Sequence, residues 1–130
     1  MRILFVCQGN VARSQMAEAY YNHFTKTNDA VSAGVSDTAY KKYFRPVDEV
    51  VQVMQEEGID VYDKKVKKLT EEMVHKADKI FVLCDKEMCP AFLAESKKVT
   101  FWEVQDPYEM SIEHFRRIRD IIKLKVKDII

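Results

Sequence analysis

The sequence predicts an α/β fold, a three-layer sandwich in which a four-stranded parallel sheet is flanked by helices on both faces. Three observations predict it. Strand-like apolar runs alternate with helix-period segments from end to end. The runs Ile3–Val6 and Ile80–Cys84 are continuously apolar, as strands covered on both faces are. Only three Gly and three Pro interrupt 130 residues, which leaves most of the chain for regular elements. There is no internal repeat, low-complexity tract or linker, so residues 1–130 are read as one domain with right-handed crossovers.

Ile3-Leu4-Phe5-Val6 is rich in β-formers and makes the first strand. Cys7–Ala12 breaks that pattern with Gln, Gly and Asn. A helix starts at Arg13, with Met16, Ala17, Tyr20, Tyr21 and Phe24 at spacings of three and four. Ala30–Ala33 makes a short second strand that ends at Gly34. Pro46 is expected in the first turn of the next helix, where its missing N–H costs nothing. The buried stripe of that helix is Val47, Val50, Val51 and Met54, and Gly58 ends it. Thr70 caps a short helix whose first turn carries Glu71 and Glu72, the charge its dipole favours. Lys79–Cys84 is the third strand and Lys98–Val104 the fourth. Ser111 caps the last helix, whose core face is Ile112, Phe115, Ile118, Ile122 and Val126.

Composition narrows the function. Lys plus Arg number 21 and Asp plus Glu number 21, a zero balance that argues against a nucleic-acid or anionic-membrane binder. The apolar runs are too short to cross a bilayer, and the first lacks the longer apolar core of a signal peptide. Three cysteines cannot all pair within the chain, which points to a reducing cytoplasm and free or redox-active thiols. The cysteines and histidines lack metal-ligand spacing, and His23, His75 and His114 fall on predicted helices without an assigned role.

In parallel sheets of this kind ligands bind at the carboxyl ends of the strands. The chemistry is therefore sought in Cys7–Ser14, Gly34–Arg45, Asp85–Pro90 and Gln105–Tyr108. The first segment, Cys7-Gln8-Gly9-Asn10-Val11-Ala12-Arg13-Ser14, follows a buried strand and opens a helix. Gly9 and Asn10 tolerate positive φ, so the backbone can curl and turn successive N–H groups inward. N–H groups gathered at a helix N-terminus cradle a phosphate or sulfate anion. Arg13 adds a planar fork for two oxygens of a tetrahedral oxyanion. Cys7 lies at the bottom of this positive cup, which favours its thiolate, and Ser14 can donate a hydrogen bond to it. An accidental Cys–Arg spacing is the alternative, and the strand before, the helix after and Gly-Asn within weigh against it.

On these residues the chain resembles the low-molecular-weight protein tyrosine phosphatase superfamily, which also contains the thioredoxin-coupled arsenate reductases. Ser32-Ala33-Gly34, Gly58-Ile59-Asp60, Leu69-Thr70, Val82-Leu83-Cys84-Asp85 and Asp106-Pro107-Tyr108 extend the resemblance over the whole length. It implies a phosphatase I-like fold, with Cys7 as nucleophile, Arg13 as phosphate clamp and Asp106 as general acid. It also implies that Asn10, Ser14 and Ser32 form a network propping the loop, with Gln8, Gly9, Val11 and Ala12 completing the substrate cradle. The histidine that usually joins the network is replaced by Lys64. No cofactor is implied.

A thiolate that attacks a phosphate ester must expel an alkoxide or phenoxide, so the reaction needs an acid that later serves as base. Asp106, just past the fourth strand, stands at the right sheet edge; the competing reading makes Asp-Pro a turn signal only. Tyr40, Tyr43, Phe44 and Tyr108 are candidates for walling a slot for a phenyl ring, as in phosphotyrosine or a small aryl phosphate, and Phe44 is equally a core candidate. Cys84 and Cys89 are redox candidates. By resemblance they match the two relay cysteines of the arsenate reductases, and Pro90 and Trp102 point the same way. The Cys84–Cys89 spacing is two residues shorter than that relay, and Lys67, Leu69-Thr70 and Asp106-Pro107-Tyr108 suit a phosphatase. Three functions follow: a phosphatase acting through a phosphocysteine, a thioredoxin-coupled arsenate reductase, or a phosphate-binding module without catalysis.

Overall fold

The computed structural model describes residues 1–130. In chain order the elements are β1 (Ile3–Cys7), α1 (Arg13–Thr25), β2 (Ala30–Gly34), α2 (Ala39–Lys42), α3 (Asp48–Gln55), α4 (Glu71–Lys76), β3 (Lys79–Val82), α5 (Ala91–Ala94), β4 (Val99–Phe101) and α6 (Ile112–Lys127). A 3₁₀ turn at Lys86–Met88 follows β3. The strands form one all-parallel sheet in the order β2-β1-β3-β4, with Ile3 opposite both Ala30 and Lys79. Chain direction across the sheet reverses between β1 and β3, so the loops after these two strands part and leave a crevice.

Alternation along β1 supplies two cores. Ile3, Phe5 and Cys7 face α1, α3 and α6, packing with Met16, Tyr20, Val50, Met54, Phe115 and Ile122. Leu4 and Val6 face the other way, with Ile80 and Val82 of β3, Val74 of α4 and Leu93 of α5. Trp102 closes one end of the first core, its ring 4.6 Å from Phe81 and 5.9 Å from Phe5. Every residue of α1 from Arg13 to Tyr21 is buried, including Arg13, Ser14, Gln15 and Glu18. Thr70 and Ser111 cap α4 and α6 as expected, accepting from the Met73 and His114 N–H groups. No helix is long and apolar enough to cross a membrane.

Four expectations need correcting. Pro46 does not lie in the first turn of a helix. Val47 holds the N-cap position in extended conformation, and its own N–H donates to the Val11 carbonyl at 3.1 Å, so the chain still runs along the loop at Pro46. β3 ends at Val82 and β4 at Phe101, earlier than the apolar runs suggest. Beyond these ends the Leu83 and Val104 carbonyls accept from the Arg13 guanidinium. The short helix α2 lies in a segment read as a loop, and α5 falls where the sequence reading names no element. Gly9 does not use a positive φ; Asn10, at φ 59°, curls the loop alone.

Candidate active site

β1 delivers Cys7 to the carboxyl edge of the sheet, and α1 begins six residues later. Ala12 stands at the N-cap of α1 with no side-chain cap, and Gly9, Val11, Ala12, Arg13 and Ser14 donate to no backbone carbonyl. Thr70 and Ser111 close this end of α4 and α6 with a hydroxyl. α1 leaves it open toward Cys7, which is the electrostatic condition for holding an anion. Gly34 lets the loop lie this low. A Cβ there would stand 2.7 Å from the Gly9 carbonyl carbon and 2.9 Å from the Asn10 nitrogen. The Val35 and Ser36 N–H groups then tie the loop down through the Cys7 and Gln8 carbonyls.

Beneath the loop lies a buried network. The Cys7 Sγ is 2.9 Å from Ser14 Oγ and accepts the Asn10 N–H at 3.3 Å. Asn10 Nδ2 donates to Ser14 Oγ at 2.7 Å and to Ser32 Oγ at 2.9 Å. Its Oδ1 accepts from Gln15 Nε2 at 3.1 Å and from the Lys67 N–H at 2.9 Å. Ser32 Oγ donates in turn to Glu18 Oε1 at 2.9 Å, and Lys64 Nζ lies 3.6 Å from Glu18 Oε2. The network thus ends in an ion pair where the resemblance implies a histidine. Burial pulls the Lys67 ammonium below the usual lysine range, with Glu18 opposing that shift.

The Arg13 guanidinium is buried. Its NH1 donates to the Leu83 and Val104 carbonyls at 2.5 and 3.0 Å, and its NH2 lies 3.6 Å from Asp106 Oδ2. Asp106 divides its two oxygens: Oδ1 accepts the Tyr108 N–H at 3.1 Å, and Oδ2 faces Arg13. Both roles weighed for this residue, turn former and site carboxylate, are therefore geometrically present.

A cavity of about 390 Å³ opens above the loop, lined by Cys7, Gln8, Gly9, Val11, Ala12, Arg13, Ser36, Ala39, Tyr43, Asp106, Tyr108 and Glu109. Tyr43 and Tyr108 share a hydroxyl–hydroxyl hydrogen bond, with rings edge to face at 6.3 Å. That bond, before any burial, pushes the Tyr108 hydroxyl up to about 12. Tyr40 does not line this cavity: it is 38 % exposed, with the Lys41 ammonium over its ring. Tyr43, at the C-cap of α2, does line the cavity. Phe44 is 89 % exposed and belongs neither to this cavity nor to the core.

A second groove of about 940 Å³ shares Gln8, Arg13 and Asp106 and runs along Cys84, Met88 and Trp102. All three cysteines are free. Burial pushes the Cys84 thiol up to about 12, with the neighbouring Cys89 and Cys7 adding to the shift. Cys89 is half-buried, and its thiol is also raised, chiefly by burial. No group of three or more His, Cys, Asp or Glu is arranged to hold a metal ion. The residues that sequence reasoning missed are Gln15, Glu18, Ser36 and Glu109. Gln15 and Glu18 carried a signal, being polar residues inside a helical stretch otherwise fit for burial.

The sequence pattern of the low molecular weight phosphotyrosine protein phosphatase family matches residues 2–130. An arsenate reductase of Brevibacillus brevis is 31% identical over 128 residues, covering 96% of this chain and 90% of the relative. Among solved structures, a low molecular weight protein tyrosine phosphatase from T. tengcongensis superposes with a TM-score of 0.86. It is 29% identical, with 99% of this chain and 97% of that one covered. An arsenate reductase in the phosphate binding state gives a TM-score of 0.80 at 26% identity, covering 99% and 96%.

Proposed function

Because the chain belongs to the low molecular weight phosphotyrosine protein phosphatase family, we propose that it is a cytoplasmic enzyme hydrolysing phosphotyrosine or small aryl phosphate monoesters through a phosphocysteine. One observation carries the reading. Cys7 sits at the uncapped N-terminus of α1, and Arg13 and an Asp106 oxygen meet 3.6 Å apart across the same cavity.

The phosphoryl group of the ester lies in the loop, its oxygens on the free N–H groups and on the Arg13 edge not used by the Leu83 and Val104 carbonyls. The Cys7 thiolate attacks phosphorus, an S–P bond forms, and the bond to the ester oxygen breaks. Asp106, protonated at Oδ2, gives its proton to the departing phenoxide. The resulting carboxylate takes a proton from water, whose oxygen attacks phosphorus. The S–P bond then breaks to release inorganic phosphate and the thiolate. Ser14 and the Asn10 N–H stabilise that thiolate as it leaves. Tyr43 and Tyr108 offer a flat aromatic wall to a phenyl ring. Val11 supplies an apolar contact.

A second reading, thioredoxin-coupled arsenate reduction, is favoured by one observation: Cys84 stands near enough to Cys7 and Cys89 for each to perturb its thiol. The name of the Brevibacillus relative agrees with it. In that reaction Cys84 attacks Cys7 bonded to arsenic, arsenite leaves as the Cys7–Cys84 disulfide forms, and Cys89 passes the disulfide on to thioredoxin. The reaction needs Cys84 as a thiolate, and burial drives Cys84 the other way. The short Cys84–Cys89 spacing, Lys67 with Leu69-Thr70, and Asp106-Pro107-Tyr108 rank the phosphatase first, and that opposition agrees with them.

Paired assays decide. Hydrolysis of p-nitrophenyl phosphate without coupled reductant, retained in Cys89→Ser and with no arsenate turnover, is expected. Thioredoxin-dependent arsenate reduction that vanishes in Cys89→Ser reverses the ranking. Neither activity, with phosphate still bound, leaves the binding module.

A further inference from the structure

We infer that Gln15, on the buried face of α1, is a positioning residue that sets the direction of the hydrogen bonds beneath the loop and so reserves the Ser14 proton for Cys7. The inference rests on the reading of Cys7 as a thiolate nucleophile.

Two backbone groups, which cannot flip, fix the direction. The Lys67 N–H can only donate, so the Asn10 atom facing it is the oxygen. The Lys65 carbonyl can only accept, so the Gln15 atom 2.8 Å from it is the amide nitrogen. Gln15 Nε2 therefore spends its two protons on the Lys65 carbonyl and Asn10 Oδ1. With Oδ1 held by two donors, Asn10 must present Nδ2 to Ser14 and Ser32, and both hydroxyl oxygens accept. Each hydroxyl has one proton left. Ser32 gives its proton to Glu18, and Ser14 can give its proton only to Cys7 Sγ. A sulfur that receives both the Ser14 hydroxyl and the Asn10 N–H is held as an acceptor, the role of a thiolate.

The chain accepts a cost to keep this direction. Gln15 is buried, and its Oε1 is the one buried side-chain polar atom that meets no donor. A buried polar atom without a partner is unfavourable and calls for an explanation. Reversing the amide would set Oε1 against two acceptors, so the orphan is the lesser penalty. Without Gln15, Asn10 Oδ1 keeps only the Lys67 N–H. The penalty against turning the amide oxygen toward Ser14, whose proton it would take from Cys7, then falls from two lost hydrogen bonds to one.

The test follows iodoacetamide labelling of Cys7 against pH, read by mass spectrometry of the Cys7 peptide, in wild type, Gln15→Met and Gln15→Leu. The two variants remove the same donors with different shapes. The ionisable groups facing the cluster are Arg13 and Asp106 across the cavity, Cys84 from beyond β3, and Glu18 with Lys64 and Lys67 behind. None is altered by the substitutions. In both variants the profile moves to higher pH, and labelling at neutral pH falls about tenfold, the size of effect expected from one lost hydrogen bond to a charged sulfur. Labelling at high pH matches wild type, because access to Cys7 is unchanged. Phosphate binding through Arg13 and the loop amides persists. Folded variants whose profiles superimpose on wild type overturn the inference. So does a shift in one variant only, which would assign the effect to side-chain shape. A wild-type protein in which Cys7 labels no faster than Cys84 and Cys89 instead sinks the nucleophile reading itself.

Discussion

Arg13 is aimed before any substrate arrives. Two carbonyls, from residues just beyond β3 and β4, hold one nitrogen of its fork, and the other faces Asp106. A lysine ammonium keeps the charge but cannot span both carbonyls and still present a planar edge to an oxyanion. Arg13→Lys is therefore expected to lower kcat for p-nitrophenyl phosphate on the order of 10²-fold or more while the protein stays folded; near-wild-type turnover would remove Arg13 from the clamp role. Asp106→Asn is a cleaner probe than usual, because an asparagine Oδ1 still accepts the Tyr108 N–H and keeps the turn. What it loses is the proton proposed for Oδ2, together with the carboxylate charge facing Arg13. The loss is expected to reach roughly 10²–10⁴ for a phenyl or alkyl phosphate. It shrinks across a series of aryl phosphates as the leaving group improves. A small, uniform loss across the series would falsify the acid role. Sequence alone singled out both residues, since each follows a strand at its carboxyl end. It missed Gln15 and Glu18 because a buried polar side chain is recognised by its partners, and those lie 50 residues away at Lys65 and 14 away at Ser32.

Among the elements, α1 has an N-terminus without a side-chain cap that opens into the cavity beside Cys7, whereas Thr70 and Ser111 cap α4 and α6. Thr70→Ala and Ser111→Ala are each expected to cost about 1 kcal/mol in urea unfolding while leaving kcat unchanged, as neither side chain lines the cavity. Gly34→Ala is expected to do the opposite. Its methyl group meets backbone at 2.7 Å, so the loop must rise and Cys7, Asn10 and Ser14 move with it. Activity is expected to fall by more than tenfold together with Tm, the drop of about 1–3 kcal/mol that overpacking brings. A Gly34→Ala protein with wild-type kcat would show that the loop height does not matter. Elements were legible where a period or a cap announced them: all four strands, α1, α3, α4 and α6. The ends of β3 and β4 were not, because Leu83 and Val104 are apolar residues whose carbonyls serve Arg13. Hydrophobic pattern reports where a side chain goes and is silent about a backbone oxygen.

Taken whole, the helical face of the molecule is tied by a charged cluster at its far rim. Glu57 accepts from Tyr20 of α1 and from Lys123 of α6, and these bonds hold its carboxyl below the usual carboxylate range. Burial, reinforced by Glu57, raises the Tyr20 hydroxyl. A carboxylate whose folded value is depressed adds stability that is full above its unfolded value, near pH 4.3, and is lost as pH falls through the folded one. Melting temperature is thus expected to decline below about pH 5, and Glu57→Gln to flatten that acid limb with no change near pH 7 in the pH dependence; parallel acid limbs would count against it.

Trp102 is the chain's single tryptophan, and it lines the groove that also reaches Gln8, Arg13 and Asp106. Its N–H backbone group is pinned to Val82, its ring lies against Phe81, and the Lys125 ammonium stands over it. The indole is therefore a built-in optical probe, seated four residues from the proposed acid in a rigid aromatic setting. Oxyanion occupancy of the loop, oxidation of the nearby thiols and loosening of β4 each alter the electrostatic field around one chromophore. Emission from the unlabelled enzyme can follow all three in the same cuvette.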